Sequence, residues 1–284
     1  MRVCIYTPSV SLLSHLHLDS STFLPSHFCF RFFVIVSFVI VTEYTVRSPE
    51  NEINFFSLKE MRDSFIRKVI LSHSPYGNTN FFAFAILNQH ENLAYFKNGH
   101  DESWKIIDGV ESHGEDVIYF NGAFYAVDKF GSIAVCDLNG DSPVVKFINV
   151  VQQIDGDMKY LVDAMGDLLL VARYLEFHID MQYYMEVCKT VKFRVFRFDW
   201  NGQEWEELAN LHDKVLVLGD NSSLALLARD YRGCRGNMIY FTDDHSGSNR
   251  DSIGGDHDVG VYNLGDGSIH DLPCYPCWIT PSLC

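Results

Sequence analysis

Two apolar runs meet at an Asn-Gly pair in Asp116-Val-Ile-Tyr-Phe-Asn-Gly-Ala-Phe-Tyr-Ala-Val-Asp128. Asn-Gly between apolar runs is the strongest short-range signal for a β-hairpin, because both central positions of such a turn require a positive φ. A second turn at Lys129-Phe-Gly131 leads into Ser132-Ile-Ala-Val-Cys136, and a fourth apolar segment begins at Val144. This order predicts a four-stranded meander, which is the unit of a propeller blade.

Hairpins of the same kind recur along the chain, each with an apolar strand, a polar turn containing glycine and a second strand. Their spacing of about 40 to 65 residues predicts a propeller-like all-β array. Arrays of this kind usually bind other molecules, so the pattern indicates architecture more clearly than activity. The four copies lie at 93–107, 133–148, 193–208 and 259–272.

Two further blade-like units are predicted after the first meander. An insertion at 174–190 lengthens the middle connection of the first of them, and a polar, glycine-rich loop at 243–258 interrupts the second. A further blade is suggested at 81–107, which gives three to four predicted blades. This number is smaller than we expect for a closed propeller ring. The predicted strands are 159–163, 166–172, 192–200 and 205–208, and then 223–228, 237–242, 259–263 and 269–272.

The N-terminal part differs from the rest, and we divide the chain into an atypical segment at 1–48 and a propeller domain at 49–284. The apolar run Phe32-Phe-Val-Ile-Val-Ser-Phe-Val-Ile-Val41 is too short for a spanning helix, which needs about 20 residues. Three interpretations stay open: a buried β-strand, a membrane or secretory anchor, and a segment without evolved structure. Just downstream, a helix at 57–71 competes with a strand at 67–71.

The composition argues against nucleic acids as partners and indicates a location in the cytoplasm or nucleus. The formal charge of −15 repels phosphate backbones, so nucleic-acid binding is not expected. The eight cysteines are scattered and mostly lie beside apolar residues, which is typical of reduced thiols in a protein of the cytoplasm or nucleus.

A family resemblance becomes specific in the last third of the chain. Leu218-Gly-Asp-Asn221 is followed by Gly233-Cys-Arg-Gly-Asn-Met-Ile-Tyr-Phe-Thr-Asp243, and Trp278-Ile-Thr-Pro-Ser282 comes near the end. In this order the segments resemble the KIB-type β-propeller domain of plant F-box proteins. The resemblance covers residues 68–282, without the early part of that domain, so the propeller is expected to be incomplete.

The resemblance implies a non-enzymatic, protein-binding propeller similar to the substrate-recognition domain of a ubiquitin-ligase adaptor. An F-box is not found in the sequence, so coupling to a Skp–cullin complex is left without support. Two alternatives stay open: an enzyme that uses carboxylates from several blades in a propeller channel, and a truncated family member without independent function.

Several clusters have the residue types of a metal or redox site, but their spacing does not favour one. We interpret Asp243-Asp-His245 and Asp256-His-Asp258 as parts of a solvated loop, because their spacing matches no calcium loop. The pair Cys274 and Cys277 lacks the second pair that a zinc site needs, with only Cys284 nearby. His15 and His17 are not predicted as ligands. No metal or cofactor is therefore expected.

No catalytic set is predicted either. Glu204, Glu206 and Glu207 flank Trp205 on an outer strand and are interpreted as a solvated face. Trp104 and Trp205 occupy comparable hairpin positions, for which we predict packing between blades; an aromatic contact in a partner surface is the alternative.

Overall fold

The computed structural model describes residues 2–5, 40–43, 66–74, 80–87, 92–101, 103–110, 112–180, 185–219, 221–231, 234–242, 244 and 258–271. Four successive sheets form the blades of a β-propeller, which confirms the predicted all-β class. Across the described ranges, no helix has the length and apolar character needed to cross a membrane. Of the helix considered at 57–71, residues 57–65 lie outside these ranges, as does most of the run at 32–41. Its second half is a strand, since the competing strand at 67–71 is confirmed as part of β3.

Three of the sheets are antiparallel meanders whose strands follow chain order. Nearly continuous apolar runs, buried on both faces, account for most of the inner strands, and glycine is present at several of the turns between them. Blade I comprises β3 (Ile66–Leu71), β4 (Phe82–Leu87), β5 (Asn92–Lys97) and β6 (Lys105–Ile106). Blade II comprises β7 (Asp116–Phe120), β8 (Ala123–Val127), β9 (Ile133–Asp137) and β10 (Val144–Ile148). Blade III comprises β11 (Met158–Asp163), β12 (Leu168–Asp180), β13 (Met185–Asp199) and β14 (Glu204–Leu208). A separate two-stranded ladder pairs β1 (Arg2–Ile5) with β2 (Ile40–Glu43).

The insertion in blade III is a hairpin, where the sequence predicted a longer connection. β12 and β13 stay paired from Leu169 with Arg197 out to Asp180 with Met185. A β-bulge at Tyr174/Leu175 shifts the register, so Leu175 lies opposite Thr190. Because side chains alternate between faces, this one-residue shift turns Thr190 onto the face that carries Arg173.

Blade IV contains one strand that the sequence analysis did not predict. Its order is β16 (Leu224–Leu227), β15 (Lys214–Leu218), β17 (Met238–Phe241), β18 (Gly260–Asn263) and β19 (Ile269–His270). β15 is antiparallel to β16 and parallel to β17. The apolar run at 215–218 therefore separates two strands that a simple meander would place side by side.

Apolar clusters fill the interfaces between consecutive blades. One joins blades I and II around Phe84 and Phe124, which stack with ring centroids 4.7 Å apart. The second joins blades II and III around Phe120 and Phe196, and the third joins blades III and IV around Phe193 and Phe241. Burial of these faces supplies the main stabilisation, because apolar area removed from water contributes about 25 cal/mol per Å².

A buried ion pair connects the innermost strands of the first three blades. Lys68 Nζ of β3 lies 2.5 Å from Asp116 Oδ1 of β7, with both side chains 4% exposed. The other carboxylate oxygen, Asp116 Oδ2, accepts a hydrogen bond from the Leu161 backbone N–H of β11 at 2.6 Å. We call this group the axial pair. It fixes three blades around one buried charge pair.

Trp205 packs between blades, as its hairpin position predicted. It is 4% exposed, and its Nε1–H donates to the Gly131 carbonyl oxygen of blade II at 2.7 Å. Gly131 has a φ of +94°, and an added Cβ would lie 3.4 Å from the indole nitrogen. A residue with a side chain would be strained here, so the turn that receives Trp205 needs glycine.

Replacing Trp205 by phenylalanine is expected to lower the free energy of unfolding by about 1–3 kcal/mol, because the buried Gly131 carbonyl loses its donor. Urea denaturation followed by circular dichroism measures the change. Trp200→Phe is the matched control, since Trp200 is 43% exposed. Equal losses for the two variants would contradict a specific role for the Trp205 hydrogen bond.

Candidate functional site

The connections at one end of the propeller gather into a single surface, which we call the upper rim. It comprises the β8–β9 turn at 128–132, the β10–β11 connection at 149–157 and the paired segments 174–180 of β12 and 185–190 of β13. Hydrogen bonds link neighbouring connections: Ile154 N–H donates to the Phe130 carbonyl oxygen at 2.9 Å. Farther along, Leu175 N–H donates to Asp157 Oδ2 at 2.7 Å. The rim is therefore a fixed platform rather than a set of independent loops.

A groove of about 490 Å³ opens on the rim between blades II and III. Phe130, which lines the groove, is 42% exposed, and Val151 of the β10–β11 connection is 99% exposed. Apolar side chains that are exposed to water on a protein surface are typical of contact sites for other proteins. The groove is lined by Lys129, Phe130, Gln153, Ile154, Asp155 and Gly156.

A hydrogen-bonded network supports the wall of the groove at Asp155. Tyr174 donates its hydroxyl proton to Asp155 Oδ1 at 2.7 Å, and Arg194 Nη1 donates to the same oxygen at 3.1 Å. Arg194 also forms a two-pronged pair with Glu207, at 2.8 and 2.7 Å. The hydrogen bond from Tyr174 lowers the pKa of Asp155, which favours the ionised carboxylate that Arg194 pairs with.

A second polar cluster lies beneath the rim, where Arg173 is fully buried. Its Nη2 lies 2.8 Å from Asp258 Oδ2, and its Nη1 lies 3.5 Å from Asp244 Oδ2. Nε donates to Thr190 Oγ1 at 2.7 Å, and Nη1 donates to the Thr242 carbonyl oxygen at 2.9 Å. We call this group the Arg173 cluster. Every nitrogen of the guanidinium group has a partner, which is what a buried charge requires.

The remaining members of the Arg173 cluster complete its hydrogen bonding. Tyr160 accepts a bond from Arg173 Nη1 at 3.0 Å and donates its own proton to Asp244 Oδ2 at 2.9 Å. Burial raises the pKa of Tyr160 well above its ordinary value, so the phenol keeps the proton that it donates. Thr190 donates both its backbone N–H and its hydroxyl to Asp258 Oδ2. Blades III and IV are thereby joined just below the rim.

This arrangement corrects the solvated-loop interpretation for two residues. The side chains of Asp244 and Asp258 are 5% and 11% exposed and neutralise Arg173. Their expected neighbours Asp243, His245, Asp256 and His257 lie outside the described residues. Within the described ranges, no group of three or more His, Cys, Asp or Glu side chains is arranged to hold a metal ion. The sequence signal that was missed is Arg173 itself, a charged residue inside an apolar strand.

Of the other sequence-predicted residues, Glu207 reaches the rim through its pair with Arg194, and the rest do not converge on it. Glu204, Glu206 and Glu207 are exposed on β14, as predicted, and Glu206 pairs with Arg197 at 2.7 Å. Asp116 lies between the inner strands, but both its oxygens are engaged in the axial pair, so this carboxylate does not provide the convergent set that the enzyme alternative requires. Cys274, Cys277, Cys284, His15 and His17 lie outside the described residues.

Comparison with known proteins relates this geometry to a family. The model of the KIB1-4 beta-propeller family matches residues 8–263. The match begins inside the segment 1–48, so the boundary placed after residue 48 stays a prediction. No solved structure matches the chain.

Curated relatives include two proteins of Arabidopsis thaliana. F-box protein SKIP23 is 29% identical over 243 residues, which cover 76% of this chain and 58% of the relative. F-box protein At4g35733 is 25% identical over 252 residues, covering 82% of this chain and 65% of the relative. The chain thus spans about three fifths of the length of these relatives.

Proposed function

The chain belongs to the KIB1-4 beta-propeller family, and on that premise we propose that it is a non-enzymatic propeller whose upper rim recognises a protein. The finer proposal is that the partner recognised by the rim is a substrate of a ubiquitin ligase. The chain's similarity to proteins named F-box proteins supports this role. Among the structural features, the exposed Phe130 and Val151 beside a hydrogen-bonded groove support it most directly.

The rim fits recognition better than chemistry. Phe130 is displayed on a turn that backbone hydrogen bonds hold in place, from Gly131 N–H to Asp128 and from Ile154 N–H to Phe130, so this turn needs little ordering when a partner binds. The charged side chains of the Asp155 network already satisfy one another, which leaves them suited to a polar margin around an apolar contact. A cytoplasmic or nuclear location is part of the proposal. Burial raises the pKa of the free Cys136 thiol to about 12, as suits a structural, unreactive cysteine.

The rim is tested by affinity capture from plant extract with the full chain. We expect Phe130→Glu with Val151→Glu to remove the captured partners, because two charges would replace the apolar contact and would be costly to bury. Val144→Glu is the matched control. Val144 is 53% exposed on β10, away from the rim, and receives the same chemical change. Partners identified by mass spectrometry should be shared by the native chain and the control and absent from the rim variant.

Capture of the same proteins by all three chains would overturn the assignment to the rim, as would failure of the folded native chain to capture any protein. The ligase role has a separate readout. Recombinant Skp–cullin complex is added to the immobilised native chain, and retention is measured. We propose that these residues carry recognition without the contact to the ligase and expect no retention; retention would overturn that division of roles.

A further inference from the structure

Four Asn-Gly pairs lie at turns on the end of the propeller opposite the upper rim. They are Asn98-Gly99 after β5, Asn121-Gly122 after β7, Asn139-Gly140 after β9 and Asn201-Gly202 after β13. Asparagine is chemically least stable before glycine, because glycine has no side chain to shield its backbone nitrogen from the asparagine carboxamide. The four pairs share this chemistry, so the surroundings of each pair decide how fast it reacts.

The reaction is deamidation, which needs no enzyme and no reagent other than water. The glycine backbone nitrogen attacks the asparagine Cγ, so that an N–Cγ bond forms while the Cγ–Nδ2 bond breaks. The side-chain nitrogen leaves as ammonia and takes the proton of the attacking amide. Water then opens the cyclic imide: opening at Cγ gives aspartate, and opening at the main-chain carbonyl gives isoaspartate. The main chain of isoaspartate runs through the side chain and is longer by one carbon atom.

Hydrogen bonds hold the reacting groups in two of the pairs. The Gly202 N–H, which would have to attack, donates to Asp199 Oδ2 at 2.8 Å. The Asn139 carboxamide, which would have to leave, donates from Nδ2 to Asp137 Oδ1 at 2.8 Å and to the Gly122 carbonyl oxygen at 3.4 Å. These bonds must break before the reaction can proceed, so they slow it.

Asn98 is restrained in a different way. It is half-buried, and its backbone N–H donates to the Phe81 carbonyl oxygen at 3.0 Å. This bond anchors the turn beside the start of β4, so the asparagine has less freedom to approach the nitrogen of Gly99.

Asn121 and Gly122 form an exposed pair without such restraints. Within the described part of the chain, neither the Asn121 carboxamide nor the Gly122 N–H has a hydrogen-bond partner. Both residues are exposed, and a Cβ added at Gly122 would meet nothing within 4 Å, so there is open space beside the attacking nitrogen. Exposed turn tips also open locally more easily than the strands they join, which gives the two groups the freedom to meet.

We propose that Asn121 is a deamidation site, at which the folded chain accumulates aspartate and isoaspartate faster than at its other Asn-Gly pairs. The β7–β8 turn that defines the hairpin of blade II is then also its chemically least durable point.

The two products differ in their effect on blade II. Aspartate occupies the positive φ of position 121 about as readily as asparagine, so it keeps the turn. Isoaspartate inserts a carbon atom into a turn that pairs Phe120 directly with Ala123. Phe120 belongs to the cluster between blades II and III, and Phe124 belongs to the cluster between blades I and II. Isoaspartate at position 121 is therefore expected to loosen blade II at both of its interfaces.

The site is tested by incubating the full chain at mildly alkaline pH and quantifying both products at each pair by peptide mapping with mass spectrometry. The same chain unfolded in urea gives the intrinsic rate of each pair. Relative to that reference, we expect Asn139 and Asn201 to react at least about fivefold more slowly than Asn121, because one ordinary hydrogen bond changes an equilibrium by about this factor. Protection of Asn121 that equals or exceeds the protection of any other pair would overturn the proposal.

The consequence for blade II has a separate readout. After incubation, isoaspartate is counted by methyl transfer from S-adenosylmethionine with a purified isoaspartate methyltransferase, and stability is measured by urea denaturation. We expect the native chain to gain a fraction that unfolds at lower urea, in proportion to its isoaspartate at position 121. Asn121→Gly is the matched control, because Gly-Gly keeps the turn and removes the reacting carboxamide. It should keep its midpoint through the same incubation.

A second control separates the longer main chain from the added charge. Freshly prepared Asn121→Asp should unfold at the same urea concentration as the fresh native chain, since position 121 is exposed. An equal loss in incubated Asn121→Gly, or isoaspartate at position 121 without any change in the midpoint, would overturn the effect on blade II.

Discussion

Replacing Arg173 by methionine is expected to lower the free energy of unfolding by about 3–5 kcal/mol, because Asp258 and Asp244 would stay buried without their counter-charge. The side chains of these two residues are only 11% and 5% exposed. The loss should be visible as a lower midpoint in urea denaturation and a lower Tm. It should begin with separation of blades III and IV, because the Arg173 cluster joins them.

A second variant distinguishes buried charge from lost packing. Arg173→Met with Asp258→Asn should be more stable than Arg173→Met alone, since the double variant removes one unpaired charge while the amide oxygen still accepts from Thr190. Arg197→Met is the control. Arg197 lies on β13, the same strand as Thr190, and forms a surface ion pair with Glu206. We expect no measurable change in Tm for that control. Equal losses for Arg173→Met and Arg197→Met would contradict the role of burial.

Asp116→Ala is expected to lower the free energy of unfolding by about 3–5 kcal/mol, because it leaves Lys68 buried and unpaired. The same substitution removes the acceptor for two backbone groups, the N–H of Val117 and that of Leu161. Equilibrium urea denaturation measures the loss. Lys68→Met should cost less, because Asp116 would still accept both backbone hydrogen bonds.

The test is whether Asp116→Ala lowers the free energy of unfolding more than Lys68→Met does. If Lys68→Met destabilised the protein more than Asp116→Ala, the carboxylate would not be the centre of the axial pair. Lys105→Met is the control for removing a lysine, since Lys105 is 52% exposed in its pair with Asp101. We expect that variant to unfold at the same urea concentration as the native chain.

The sequence predicted the parts of the fold that depend on neighbouring residues. The Asn-Gly turn of blade II is present, with Asn121 and Gly122 at φ values of 46° and 87°. The Trp205 position was predicted correctly because the hairpin repeat is local. Residues 67–71 form a strand and not a helix, because β3 pairs with β4 along its length. Such a partner cannot be identified from periodicity alone.

The parts that were missed depend on distant residues. The run at 215–218 is apolar enough for a strand, but its parallel pairing with β17 has no local signature. The insertion in blade III alternates apolar and polar residues at 175–180, which is a strand pattern, but its pairing with 185–190 was not predicted and it was interpreted as a longer connection. Arg173 and Asp258 are 85 residues apart, and a pair at that distance is not predicted by any spacing rule. The candidate groove likewise forms only when two connections meet between blades.

The parallel strand β15 has a consequence for the order in which blade IV assembles. A meander can grow outward one hairpin at a time, and each new strand needs only its predecessor. β15 instead pairs with β16 on one edge and with β17 on the other, so both later strands depend on it. The β15–β16 hairpin can form early, because the two strands are close in sequence. β17 must then pair with the edge of β15 that β16 leaves free, before β18 and β19 can pair in turn. We therefore expect blade IV to complete its sheet last during folding.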